Sequence, residues 1–253
     1  MKKTDMRDMT NFLMLDEKTP FAIRESFNML RTNLMYSMKK GTDGCPIFAV
    51  ASCREGAGKS TVIANLTVSF THLDKKILLI DGDMRCPTLH NYFGVNKRHS
   101  GLSELISGID DNVLIPSVLP GLDLITGGRI PPNPSELITS PRFLELLQQW
   151  RQEYDVIFID FPPVGIVTDA LAVCQQITGY IFCVRSGRTS AKSINASIES
   201  MERLGAKIVG VVLNDYNMKK VKGHRYAYAK YTSYNRYRKD HTTNNTQKDT
   251  AAQ

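Results

Sequence analysis

Ile47-Phe48-Ala49-Val50-Ala51-Ser52-Cys53-Arg54-Glu55-Gly56-Ala57-Gly58-Lys59-Ser60-Thr61 is an apolar run that breaks into a glycine-rich turn and continues at helical period. A buried strand feeding a helix through such a turn is the setting in which backbone N–H groups wrap a phosphate chain. Gly56 and Gly58 let the backbone approach closely, and the open donors and dipole of a helix N-terminus favour an anion. In this reading Lys59 reaches the β and γ phosphates of ATP and Ser60 places its hydroxyl on Mg2+, with Ala57 and Thr61 completing the cradle. Cys53 occupies the first glycine position of the G-x-x-x-x-G-K-[ST] pattern.

Outward from this loop, short β-rich runs recur at 47–52, 77–81, 122–126, 156–160, 180–184 and 208–213. Most are continuously apolar, which suits strands buried on both faces of a parallel sheet. Segments 59–72, 134–154, 168–177 and 190–204 have the length and spacing of crossover helices. The expected fold is α/β, a doubly wound and mostly parallel sheet. A further amphipathic helix is expected over 20–38, with Ile23, Phe27, Leu30 and Leu34 on one face. Two of the apolar runs end in carboxylates, Asp81-Gly82-Asp83 and Asp160. Ligands of open α/β sheets bind outside the carboxyl ends of strands, so Asp81, Asp83 and Asp160 are expected in one crevice with Lys59.

The chain has 253 residues and a net charge of +7. Residues 216–253 carry nine Lys or Arg and two Asp, so the whole excess lies in this tail. Six of the ten tyrosines are there too, and after Val221 it has no aliphatic residue larger than alanine. Such a segment buries too little apolar surface to offset its ordering entropy, so a basic tail is expected after the folded body. The expected division is an N-terminal segment and assembly helix (1–38), a nucleotide-binding domain (39–215) and the tail (216–253). Five scattered cysteines form no C-x-x-C pair, which points to neither a disulfide framework nor a zinc site, and a reducing cytosol is expected. No apolar run is long enough to span a bilayer.

These motifs together resemble the bacterial tyrosine kinases, P-loop NTPase-like proteins with a Walker A loop, an Asp-x-Asp motif and a Walker B strand. Gly127-Gly128-Arg129-Ile130-Pro131-Pro132-Asn133-Pro134-Ser135-Glu136-Leu137 is similar to that family's P-P-N-P-x-E-L segment, and Asp160-Phe161-Pro162-Pro163-Val164 to its D-x-P-P-V. The resemblance implies a protein-tyrosine kinase using ATP and Mg2+, with Ser60, Asp83 and Asp160 at the metal and Asp81 at the incoming tyrosine hydroxyl. It implies an adenine contact for Asn214 and autophosphorylation of Tyr226, Tyr228, Tyr231, Tyr234 and Tyr237. Glu25 and Arg31 match its E-x-x-R-x-x-R oligomerisation motif, with Asn28 at the middle position, which implies a homo-oligomeric ring. The split Gram-positive form implies a cytoplasmic kinase recruited to the membrane by a transmembrane activator of the polysaccharide co-polymerase type. A cognate phosphotyrosine phosphatase and control of capsule or exopolysaccharide synthesis complete that picture; no nucleic-acid partner is expected. Arg54 reads equally as a phosphate contact or a solvated loop residue. The competing readings are a partition or septum-positioning ATPase, which needs no tyrosine cluster, and an ATP-dependent scaffold without phosphotransfer.

Overall fold

A computed structural model describes residues 14–38, 44–96, 99–167 and 169–216. The chain divides into two units after Asn214, and the first of them holds the described helices and strands. The apolar runs form β1 (Ile47–Ala51), β2 (Ile77–Asp81), β4 (Leu122–Ile125), β5 (Val156–Asp160), β6 (Gly179–Arg185) and β7 (Ile208–Asn214). All pair in parallel. A seventh strand, β3 (Ile115–Leu119), runs antiparallel along the β4 edge and completes the order β3-β4-β2-β5-β1-β6-β7. The sequence pattern conceals it because Pro116 interrupts the apolar run. Pro is tolerated on an edge strand, and the register shifts there, with Ser117 at φ 53°.

Side chains alternate across each strand and give the sheet two cores. Phe48, Val50, Ile77, Leu79, Val156 and Phe158 face α1 (Phe21–Met38), α2 (Lys59–Phe70) and α3 (Leu89–Tyr92). Ile47, Ala49, Leu78, Ile80, Ile157 and Ile159 face the other layer. That layer holds α4 (Leu102–Ile106), α5 (Pro134–Thr139), α6 (Pro141–Glu153), α7 (Asp169–Ala172) and α8 (Ala191–Arg203). Phe161, in the loop after β5, is fully buried in this second core.

Several helical expectations need correction. The segment 134–154 is two helices, because Pro141 cannot continue the first and instead opens the second, which Ser140 caps by accepting from Phe143 N at 3.3 Å. The segment 168–177 is one short helix followed by a 3-10 turn at Cys174–Gln176, and α2 passes into a 3-10 turn at Thr71–Leu73. The short helices α3 and α4 are additions to the expected set, since four or five residues carry no periodic signal. On α1, Leu34 is buried while Ile23 is 47% exposed, so the apolar face is narrower than the sequence suggests. Phe158 packs between Phe48, with ring centroids 6.0 Å apart, and Phe70, edge-on at 5.1 Å. It thereby seats α2 on the strand that ends in Asp160. Truncating it to alanine would cost about 3–5 kcal/mol.

Candidate active site

The sheet order places the site. From β1 the chain first moves to β2 on one side, and after β5 it crosses to β6 on the other, so the connections diverge at the carboxyl ends of β1 and β5. Asp81 and Asp160 stand opposite each other in the β2–β5 register. Each continues a row of alternating residues, Ile77-Leu79-Asp81 and Val156-Phe158-Asp160, that faces α2. Lys59 opens α2 and is 8% exposed. Strand pairing and strand period therefore bring the cation and both carboxylates to one point.

The glycine-rich loop is held through its carbonyls. Arg185 Nη1 donates to Gly56 O at 3.1 Å, while Ala57 O accepts from Asn214 Nδ2 at 3.0 Å and from the Cys183 thiol at 3.2 Å. With its carbonyls committed to β6 and β7, the loop has its N–H groups left for an anion. Gly58 has φ 88°, and a Cβ there would lie 2.0 Å from Asn214 Nδ2. Only glycine meets both demands. Cys53 fills the first loop glycine position as a buried residue, and its carbonyl is approached so closely by Gly165 that a Cβ there would come within 2.3 Å. Thr61 Oγ1 and Tyr92 OH share a hydrogen bond of 2.7 Å.

The carboxylates are in a different condition. Asp81 is wholly buried; its Oδ2 accepts from Thr88 N at 2.8 Å and Leu89 N at 2.9 Å, while Oδ1 has no hydrogen-bond partner. Neither oxygen of Asp160 has one. Burial, joined by the Asp160 charge, holds the Asp81 carboxyl well above the usual carboxylate range despite those two N–H bonds. Burial likewise raises Asp160, to about 6, against the pull of Lys59 and the nearby Ser60 hydroxyl. Asp83 is less enclosed; burial raises it, offset by the Cys86 N–H at 3.0 Å and by Lys59. Three orphaned oxygens on two buried carboxyls suit a hard divalent cation. Among the described residues no three His, Cys, Asp or Glu side chains converge on one point. Mg2+ takes one or two carboxylates and completes its shell with water and phosphate oxygens.

Lys59, Ser60, Asp81, Asp83 and Asp160 thus share one crevice with Gly56, Ala57, Gly58 and Thr61. Asp81 is the surprise: its burial and the two N–H groups on Oδ2 make it a strut for the start of α3, with Asp83 the more open carboxylate. Asn214 sits at the site, but its amide nitrogen serves the loop carbonyl. Arg54 Nη1 donates to Arg188 O at 3.3 Å, a loop-to-loop contact. On α1, Asn28 donates to Glu25 at 3.3 Å and Arg31 to the Ser69 carbonyl near the end of α2. Glu25, Asn28 and Arg31 line a groove of about 620 Å3 between α1, the preceding turn and α2, remote from the carboxylates. Tyr226, Tyr228, Tyr231, Tyr234 and Tyr237 lie outside the described residues. No described helix is long and apolar enough to cross a membrane.

Glu104 is a buried carboxylate near this crevice's loops that sequence reasoning passes over. This buried side chain accepts from Gly101 N at 2.9 Å, Ser103 Oγ at 2.9 Å and Arg129 N at 3.2 Å. Burial favours its neutral form, but these bonds outweigh that and lower its pKa. It anchors the Gly127–Pro132 loop to α4. The Gly101-x-x-Glu104 spacing, a capping box without a side chain at the cap, is the available signal.

A family model described as "ParA: NUBPL iron-transfer P-loop NTPase" matches residues 45–246. Tyrosine-protein kinase CpsD of Streptococcus agalactiae serotype III (strain NEM316) is 33% identical over 213 residues, 83% of this chain and 90% of its own. The kinase domain of the Escherichia coli tyrosine kinase ETK superposes with TM-score 0.76 at 32% identity, over 83% of this chain and 82% of that one. The chimerical protein CapA2B2 superposes with TM-score 0.75 at 36% identity, over 81% and 90%. The chain is accordingly a ParA-type P-loop NTPase and, within that group, belongs to the bacterial tyrosine-protein kinase family.

Proposed function

We propose that the protein is an ATP-dependent protein-tyrosine kinase that phosphorylates its own C-terminal tyrosines, Tyr226, Tyr228, Tyr231, Tyr234 and Tyr237. The observation that carries the reading is the pairing of a tethered phosphate loop with the adjacent buried carboxyls of Asp81 and Asp160, three of whose oxygens have no hydrogen bond. Bound there, Mg2+ would neutralise charge on the β and γ phosphates. Ser60, Asp83 and Asp160 would hold and orient it, with the free Oδ1 of Asp81 behind them facing the same charge, and Lys59 would supply positive charge where the transferring phosphoryl group accumulates negative charge. Asp83 is the more open carboxylate, and its oxygen turned away from the metal would accept the hydroxyl proton of an entering tyrosine. Asp81 acts from behind, by fixing the backbone of Thr88 and Leu89. Asn214 Oδ1, which takes no part in the bond to Ala57, is the group that faces an adenine amine.

In the same reading Glu25 and Arg31 belong to an assembly surface along the α1 groove, and the oligomer is a ring. A transmembrane protein of the polysaccharide co-polymerase type recruits and activates the kinase, a phosphotyrosine phosphatase reverses it, and the cycle regulates capsule or exopolysaccharide synthesis. The support is family membership together with the tail's tyrosines and charge. The test is to incubate the full chain and its candidate activator with Mg-ATP and map phosphotyrosine by mass spectrometry. Label on the five tail tyrosines, lost in Lys59→Met, is expected; nucleotide hydrolysis without phosphotyrosine would favour the partition-type ATPase.

A further inference from the structure

Two residues beyond Asp83 stands Arg85, to which the motifs assign no role. Its Nε donates to Asp169 Oδ2 at 3.1 Å, and its Nη2 donates to Asp169 Oδ1 at 3.3 Å and to Ser135 Oγ at 2.8 Å. The Ser135 hydroxyl, accepting from Arg85, donates its own proton to Asp169 Oδ1 at 2.6 Å. One guanidinium therefore joins three segments: the loop after β2, the first turn of α5 in the Pro-Pro-Asn-Pro-Ser stretch, and the first residue of α7, beyond the Asp160-Phe161-Pro162-Pro163 loop.

This contact is built rather than incidental. Asp169 is 2% exposed, so its charge needs a partner, and Arg85 Nε at 3.1 Å is that partner. A two-pronged bond to a carboxylate plus a third bond to a hydroxyl requires the planar fork of arginine; the point charge of lysine cannot reproduce it. The loop between β2 and α3 is otherwise fixed at its ends. Gly82 N donates to Asp160 O at 2.8 Å, and Asp81 Oδ2 holds Thr88 and Leu89. Its middle, where Asp83 accepts from Cys86 N through both its side chain and its carbonyl, has Arg85 as its tie to the opposite helical layer.

We propose that Arg85, Asp169 and Ser135 form a clamp that holds Asp83 in register with Lys59 and Asp160 for phosphoryl transfer. Arg85 is a positioning residue, and its effect falls on kcat rather than on the KM for ATP. A displacement of about 1 Å at a reacting group costs on the order of a hundredfold in rate, whereas the loop carbonyls that shape the nucleotide cradle are tied to β6 and β7. The clamp rests on the kinase reading and on the role given there to Asp83.

The test measures initial phosphotyrosine formation by the full chain with its activator over a range of ATP concentrations, alongside thermal unfolding. Arg85→Lys should lower kcat at least tenfold with KM for ATP within twofold. Arg85→Met should lose stability as well, because it strands the Asp169 charge. Arg85→Met combined with Asp169→Leu should regain much of the melting temperature, since no unpaired charge is then left at the buried end of the pair, yet stay at least tenfold slow. Ser135→Ala, which keeps the ion pair, should lower kcat at least threefold at constant KM. A paired variant as fast as the parent, a parent-like Ser135→Ala, or a loss confined to KM would each overturn the clamp. A parent that forms no phosphotyrosine at all would instead overturn the kinase reading itself.

Discussion

The two halves of the nucleotide crevice, the loop on β1, β6 and β7 and the carboxylates on β2 and β5, are stabilised in opposite ways. In the first, Gly56 O and Ala57 O accept from Arg185, Asn214 and Cys183. In the second, three oxygens of Asp81 and Asp160 are buried without a hydrogen bond, and both carboxyls are raised above their ordinary pKa. The loop is organised before any ligand arrives, so binding phosphate costs it little reorganisation. The carboxylates instead carry a standing cost that a cation relieves. Unsatisfied buried polar groups in a native core often mark function in this way. The contrast predicts that substitutions in the loop half destabilise the protein, whereas neutralising a carboxylate stabilises the unliganded form.

The largest effect is expected at Gly58. Alanine there is forced into left-handed backbone at φ 88° and drives a methyl group onto Asn214, displacing the amide that holds Ala57. Backbone strain of about 1–3 kcal/mol and a lost hydrogen bond of about 0.5–1.5 kcal/mol together set a loss of roughly 2–4 kcal/mol. Denaturant unfolding should show it, and ATP affinity measured by fluorescence titration should fall at least tenfold. Adding Asn214→Gly should return only part of the stability, since the positive φ remains. Full recovery would mean that the clash alone defines the loop.

How much of this contrast can be read from the chain depends on where each signal lives. The glycine-lysine-serine run, the three strand-end carboxylates and six of the strands are local patterns, and the sequence shows them directly. The tethers are not local: Cys183, Arg185 and Asn214 meet Gly56 and Ala57 across 126 to 157 positions of chain. Nothing in their own neighbourhoods marks them for this. Asn214 stands out as a strand-end polar residue, but its partner is visible only once β7 is placed beside β6. The burial of Asp81 is illegible for a related reason. An Asp at a strand end is commonly exposed, and only the Asp81–Asp160 register together with α3 encloses it. Edge strand β3 is hidden by Pro116. The break at Ser140–Pro141 is different, since a capping serine followed by proline is a local signal that a single long helix over 134–154 overlooks.

A smaller effect of opposite sign is expected from Asp160→Asn without nucleotide or Mg2+. The folded-state pKa of Asp160, about 6, lies above the unfolded value of 3.8. The native form therefore binds the extra proton between these limits, and parent stability falls as pH rises through that window. Asparagine has no such penalty. Its advantage should be absent near pH 3.5, grow between pH 4 and 6, and level off above pH 7 at on the order of 1–3 kcal/mol. Urea unfolding across that pH range checks the sign. A variant less stable than its parent at pH 7 would show that Asp160 is already compensated within the protein, and the contrast between the two halves would fail on its carboxylate side.

The finest test concerns the two donors on one carbonyl. Ala57 O accepts from Asn214 Nδ2 at 3.0 Å and from Cys183 Sγ at 3.2 Å, so deleting either leaves the other in place. Burial raises the Cys183 thiol to about 12, which keeps it protonated, and therefore able to donate, across the neutral range. Cys183→Ala and Asn214→Ala should each cost about 0.5–1.5 kcal/mol. The two together should exceed their sum, because only the double variant strands a buried carbonyl. A double-mutant cycle removes the cavity cost that Cys183→Ala brings and isolates this excess, expected at about 0.5–1 kcal/mol. Nucleotide affinity should be nearly unchanged in Cys183→Ala, lower in Asn214→Ala, which also removes the proposed adenine contact, and lower still in the double. Strict additivity would show that the two donors act independently or that the carbonyl finds water when both are gone. The loop would then keep its shape through Gly56, Gly58 and Arg185, and the β6–β7 side would matter less than the contrast requires.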